Sequence, residues 1–153
     1  PFRLAGDLPE NYEHFKDAFR FIKEVPMDWS QTIYLDALPG EYLYVARKEK
    51  NGNRWYFGAI SGETARTASI SLKFLDSGKK YKATIYADAS GANFKTNPTA
   101  YKLAEILVDN HSKIPLFLAP GGGAAISLSY ASAAEVKRLP KLSDAFLKSW
   151  KRK

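Results

Sequence analysis

Two periodicities divide the chain. Across residues 10–25, Tyr12, Phe15, Phe19, Ile22 and Val25 recur at spacings of three and four. That is the apolar stripe of an amphipathic helix. Asp7-Leu8-Pro9-Glu10 supplies a start, with Pro9 and Glu10 in the first turn. Pro26 ends the helix, because proline cannot continue its hydrogen-bond ladder. Beyond Trp29 the period falls to two. Thr32–Leu38, Tyr42–Lys48, Arg54–Ser61, Thr67–Phe74, Tyr81–Asp88, Tyr101–Val108, Ile114–Ala119 and Ala124–Tyr130 read as strands. Pro39-Gly40 and Asn51-Gly52-Asn53 are turn signals between them. No helical pattern of ten or more residues separates consecutive strands, so a parallel α/β sheet is excluded. The expected fold is all-β: an antiparallel β-sandwich of about eight strands, with an N-terminal helix and a short helical C-terminal tail. Tyr101–Val108 is the ambiguous segment, since "AYKLAEILVDN" also fits a short helix.

Residues 131–153 lose the two-residue period. Ser132-Ala-Ala-Glu135 has the form of a capping box, Pro140 interrupts, and Leu142, Phe146, Leu147 and Trp150 mark one side of a second helical stretch. The tail also carries most of the charge. The chain is +7 overall, and residues 137–153 hold seven Lys/Arg against one acid, Asp144. Residues 1–136 are then nearly balanced, so the basic character belongs to a solvated terminus and not to a nucleic-acid-binding face. No run of 18 apolar residues exists to span a membrane. With 153 residues, one domain of ordinary size is expected. The absence of cysteine removes disulfides and thiolate zinc sites. The chain opens at Pro1 without methionine, which suggests a piece cut from a longer polypeptide.

The stretch "LAPGGGAAISL", residues 118–128, raises the possibility of a phosphate cradle. Such a loop needs a strand before its glycines and a helix after them. Here Ile126, Leu128 and Tyr130 alternate with Ser127 and Ser129, so a strand follows and the glycines make a turn. Other catalytic signals are equally thin. His14 and His111 have no ligand-spaced partner, and no G-x-S-x-G elbow occurs. Carboxylate pairs of the glycosidase kind would have to come from Asp36 with Glu41, or Asp88 with Asp109.

The aromatic residues admit two readings. Trp55, Tyr56 and Phe57 are consecutive in a strand and so point to alternating faces. Trp55, Tyr56 and Tyr86 are the candidates for a platform that stacks a sugar ring, with an oligosaccharide as partner. The plainer reading is core or interface packing. A stripe with three aromatics, Tyr12, Phe15 and Phe19, needs a partner surface, and together with Ile22 and Trp29 it is the candidate interface.

Six segments occur in a familiar order: "DLPENYE", "FRFIKEVPMDW", "GEYLYVARK", "RWYFGAISGETART", "FKTNPTAY" and "LAPGGGAAISL". Together they resemble the C-terminal region of glycoside hydrolase family 97, bacterial α-glucosidases and α-galactosidases, over about residues 3–130. The resemblance implies a parent with an N-terminal β-super-sandwich, a (β/α)8 catalytic barrel and a C-terminal β-sandwich. On that reading residues 1–30 are the end of the barrel with a junction helix, 31–130 the sandwich, and 131–153 a basic tail. The aromatic stripe would lie in the junction, against the barrel. The family's catalytic carboxylates and calcium ligands would lie upstream in the barrel, so neither a catalytic residue nor a cofactor is assigned to this chain. The resemblance also implies a periplasmic or extracellular location in a bacterium. Ser30-Gln31 departs from the family's usual acidic residues after the tryptophan. The alternative function is a carbohydrate-binding module.

Overall fold

The computed structural model describes residues 9–143, and the chain folds as an antiparallel sandwich. Its elements are α1 (Pro9–Glu13), α2 (Lys16–Glu24), β1 (Trp29–Leu38), β2 (Tyr42–Glu49), β3 (Trp55–Ser61), β4 (Arg66–Ser71), β5 (Tyr81–Asp88), β6 (Tyr101–Val108), β7 (Lys113–Leu118), β8 (Gly123–Tyr130) and α3 (Ala133–Arg138). A six-stranded sheet runs β1-β2-β3-β8-β5-β6, and a two-stranded sheet, β4-β7, lies over part of it. The ambiguous segment is a strand: β6 pairs with β5 from Tyr101 opposite Asp88 to Val108 opposite Tyr81.

Alternation decides which side chains fill the sandwich. On β2, β3, β8 and β5, Tyr44, Ala46, Trp55, Phe57, Ala59, Leu128, Ile126 and Ile85 point inward. They meet Ile70 of β4 and Ile114, Leu116 and Leu118 of β7. Trp55, Tyr81, Phe57, Ile126 and Leu128 are among the largest fully buried side chains. Each such residue adds about 1.5–3 kcal/mol by leaving water, so the inner faces hold the fold together.

Two elements depart from the sequence expectation. The single helix over 10–25 is broken between α1 and α2, where Phe15 is non-helical at φ −126°, ψ 57°. The break brings the Phe15 ring 6.1 Å from that of Tyr101. Tertiary contact overrides a continuous helical pattern there. The strand expected over 67–74 ends at Ser71, since Leu72 opens a turn closed by a 3.0 Å bond from the Leu75 N–H to its carbonyl. Leu72 and Leu75 are both buried in the core. Before Pro26, Val25 is extended (ψ 121°), as the proline ring demands. The Ser132/Glu135 capping box forms as expected. The helix expected around Phe146 to Trp150 lies outside the described residues.

Candidate functional site

The outward face of the six-stranded sheet can be read row by row from its register. One row holds Leu43, Ile60 and Gly123. The next holds Tyr34, Val45, Gly58, Ala125, Tyr86 and Leu103. A third holds Thr32, Arg47, Tyr56, Ser127, Thr84 and Glu105. Helix α2 crosses these rows diagonally, and three tyrosines pin it. The Tyr56 hydroxyl donates to the Glu24 carbonyl at 3.1 Å, and the Tyr86 hydroxyl to the Asp17 carbonyl at 3.1 Å. Tyr101, at the start of β6, donates its hydroxyl to the Asp17 carboxylate. Phe21 fits between the strands' rings, 6.0 Å from Tyr56 and 5.4 Å from Tyr86.

The pins leave an electrostatic signature. The Tyr101 hydrogen bond holds the Asp17 carboxyl below its ordinary value. Burial, then the carboxylate, pushes Tyr101 up to about 12. Burial also raises Tyr56 and Tyr86, so all three phenols stay protonated as donors.

On one side of α2 the sheet is apolar and open. Two grooves of about 550 and 300 Å³ share Ala18, Ile22, Asp88 and Tyr101 as walls. Phe15 and Ile22 are each 40% exposed there, and Ile60, on the same sheet corner, is 61% exposed. Gly58, Gly123 and Ala125 keep this corner flat, while Leu43, Val45 and Tyr34 extend it. On the other side of α2 the face is polar. There Thr84 donates to Glu105 at 3.4 Å, and Lys82 pairs with Glu135 of α3 at 2.7 Å.

The candidate interface residues fall where a partner could reach them. Tyr12 and Phe19 stack on each other at 5.0 Å, and with Phe15 and Ile22 they line the larger groove. Trp29 lies on the outer face, edge-on to Tyr56 at 5.7 Å, so it braces the helix seat and is only partly exposed. The candidate sugar platform does not assemble. Trp55 points into the sandwich and is 2% exposed; Tyr56 and Tyr86, on the opposite face, lie under α2 at 5% and 8%. A ring that stacks a sugar must offer an open face, and alternation together with the helix removes it.

The glycine turn has a partner within the protein. The Asp88 carboxylate accepts the Ala119 N–H at 2.7 Å and the Gly123 N–H at 2.9 Å. A Cβ on Gly122 would stand 2.0 Å from that carboxylate, and Gly121 has φ +65°. The loop thus cradles an anion, but the anion is the protein's own. Burial raises the Asp88 carboxyl, and the two N–H bonds oppose the shift.

The remaining acids are held in ordinary contacts. Asp36 accepts the Tyr42 hydroxyl at 3.1 Å, and Glu41 pairs with Arg66. Asp88 lies opposite Tyr101 and Asp109 follows Val108 at the other end of the β5–β6 pair, roughly 26 Å away at about 3.3 Å per residue, beyond the reach of a glycosidase pair. Asp109 is held at about 2 by Lys80, Ser112 and the His111 N–H. His14 is exposed. Among the described residues no group of three or more His, Cys, Asp or Glu could hold a metal.

Phe21, Asp17, Tyr101 and Asp88 were not singled out in the sequence as parts of this face. Ala18 and Phe21, three apart, do form a second apolar stripe beside the first, and the two meet at Val25. A helix with two apolar stripes has two neighbours.

A family model described as "Glycosyl-hydrolase 97 C-terminal, oligomerisation" matches residues 28–129. The chain belongs to this family of glycoside hydrolase 97 C-terminal domains. A retaining alpha-galactosidase of Bacteroides thetaiotaomicron is 35% identical over 128 residues, covering 84% of this chain and 19% of that enzyme. A glycoside hydrolase family 97 enzyme in complex with acarbose, from Pseudoalteromonas sp. strain K8, superposes with a TM-score of 0.80 at 45% identity, covering 82% of this chain and 20% of that one. A beta-arabinopyranosidase structure shares the fold alone, at 24% identity and a TM-score of 0.62 over 79% of this chain and 18% of that one. The family 97 domain thus spans about a fifth of the length of the relatives it matches.

Proposed function

We propose that this family 97 C-terminal domain is the non-catalytic companion of a catalytic barrel in the same polypeptide. The barrel would dock against α1, α2 and the apolar corner of the outer sheet face. The observation that carries this is the exposed, flat apolar corner of Ile60, Ile22 and Phe15 beside a helix already anchored by three tyrosines. Scattered apolar residues are normal on a surface, but a contiguous set beside two grooves marks a contact. Covering it would stabilise both parts, as an intrachain interface of about 600–1,500 Å² does. Residues 1–30 are then the end of the barrel and its junction helix, 31–130 the sandwich, and 131–153 a separate tail.

We further propose that the parent hydrolyses O-glycosidic bonds of α-glucosides or α-galactosides. The similarity to a retaining alpha-galactosidase and to an acarbose-bound family 97 enzyme supports this. On the family resemblance alone, the parent works in the periplasm or outside a bacterial cell, and any calcium it needs belongs to its barrel. The test is a parent enzyme carrying Ile22→Asp and Ile60→Arg together. A loss of thermal stability, with unchanged chemistry in the molecules that remain folded, is expected. A melting temperature equal to wild type would refute the docking.

A further inference from the structure

A carboxylate that a partner covers must find a donor on that partner, since burying an unpaired charge is costly. Asp88, the last residue of β5, is in that position. It stands in the walls of both grooves beside α2, and among the described residues it is the only acid in either wall. One of its oxygens is committed. Oδ2 accepts both the Ala119 and the Gly123 N–H, at 2.7 and 2.9 Å. Oδ1 has no hydrogen-bond partner among the described residues and is open to water.

Nothing among the described residues offsets the charge. Burial raises the Asp88 carboxyl, and the two backbone N–H bonds are what oppose it. Lys102 of β6 lies opposite Ala87 and so on the other face of the sheet. Arg20 of α2 is paired with Glu24 at 3.3 Å. The phenols in the walls are engaged too, Tyr101 with the Asp17 carboxylate and Tyr86 with the Asp17 carbonyl.

Resting on the docking described above, we propose that Asp88 is the charge anchor of that face: the barrel segment that fills the grooves carries a lysine or arginine whose head donates to Asp88 Oδ1. The walls suit such a side chain. Its methylene stem would lie along Phe15, Ile22 and the Tyr101 ring, as long basic side chains do on apolar surface, with the charged head at the acid. A neutral donor would leave the carboxylate's charge in a sealed site. A cation cancels that charge and makes the stronger bond of a charged pair. The glycine turn already fixes Oδ2, so a donor at Oδ1 is held in one place. The apolar corner of Leu43 and Ile60 supplies area, and Asp88 sets the register in which the barrel sits on it.

The test compares amide exchange in α2 and in residues 98–101, in the intact parent and in the 153-residue chain. Asp88→Asn keeps an oxygen for the Ala119 and Gly123 N–H groups and removes the charge. In the parent it should speed exchange by at least about tenfold, as expected when one partner of a buried charge pair is lost. In the 153-residue chain the change should stay within about twofold. Ile22→Asp with Ile60→Arg is the reference for lost docking. If that pair speeds exchange in the parent and Asp88→Asn does not, the docking stands and the anchor falls. If neither variant changes exchange, the docking falls and the anchor with it. Equal speeding by Asp88→Asn in both molecules would place its role in the glycine turn and overturn the proposal. A second measurement serves should Asp88→Asn fail to fold. Carbodiimide-driven amidation of the wild type should label Asp88 in the 153-residue chain and spare it in the parent. Equal labelling in the two would overturn the proposal.

Discussion

The two sides of α2 share one sheet, yet they differ in what they offer. Toward Leu43 and Ile60 the rows are apolar, flat and open. Toward Lys82 and Glu105 they are polar and already engaged, with Glu135 of α3 paired to Lys82. Both sides contain an exposed large apolar residue, Ile60 at 61% and Leu103 at 43%. Exposure alone therefore does not identify the contact. The immediate neighbours differ: Ile60 adjoins Leu43 and Gly123, whereas Leu103 lies opposite Tyr86, whose hydroxyl is already bonded to α2, and two residues from Glu105. The lesson is that a helix with two apolar stripes can seal one part of a sheet and leave its second stripe to widen the neighbouring part.

The strongest way to break this contrast is to remove its divider. Phe21→Ala takes away the ring that touches both Tyr56 and Tyr86. It should cost about 2–3 kcal/mol, below the about 3–5 kcal/mol of fully buried Phe truncations because Phe21 is half-buried. Urea unfolding of the isolated chain would measure it, with Tyr56 and Tyr86 becoming exposed. Next comes a matched pair of charges. Ile60→Arg should lower the stability of the parent by more than about 2 kcal/mol, yet change the isolated chain by less than about 0.5 kcal/mol. Leu103→Arg should be within about 0.5 kcal/mol in both. Equal effects in the parent would erase the distinction between the two sides.

Tyr101→Phe tests the helix anchor at about 1 kcal/mol. Its effect should depend on pH. The Asp17 carboxyl is lowered in the fold, so its contribution is present above the unfolded value of about 3.9 and is lost as pH falls through the folded value. The gap between Tyr101→Phe and wild type should therefore narrow in acid, which denaturation at pH 7 and pH 3 would show. The smallest effect belongs to the polar side. Lys82, followed by the Ser132 N–H and hydroxyl, holds Glu135 at about 2. Lys82→Met should move the Glu135 titration up toward the ordinary carboxylate range, with no change in the seat of α2. An NMR titration of the Glu135 side chain would read it.

Much of the sandwich was legible because strand periodicity is local. Ile126, Leu128 and Tyr130 show their alternation within eight residues, and the same alternation excludes a phosphate loop. The six ordered segments carried the family, now shown by the match over residues 28–129. The apolar stripe of Tyr12, Phe15, Phe19 and Ile22 is legible for the same local reason, and its service as an interface is the proposal above. The sugar platform was not, since alternation says that Trp55 and Tyr56 face opposite ways but not that a helix lies on Tyr56. Asp17 meets Tyr86 and Tyr101 across 69 and 84 residues of chain, and Asp88 meets the glycine turn across 31 and 35. No window of sequence contains both partners. The break at Phe15 was hidden too, because it answers to Tyr101 and not to its own neighbours.

Radical footprinting of side chains, in the isolated 153-residue chain and in the intact parent, is the most direct test of the central claim. Burial against the barrel predicts that Phe15, Ile22 and Ile60 lose most of their labelling in the parent, while Leu103 keeps its own. Equal labelling of Ile22 and Ile60 in the two molecules would contradict it.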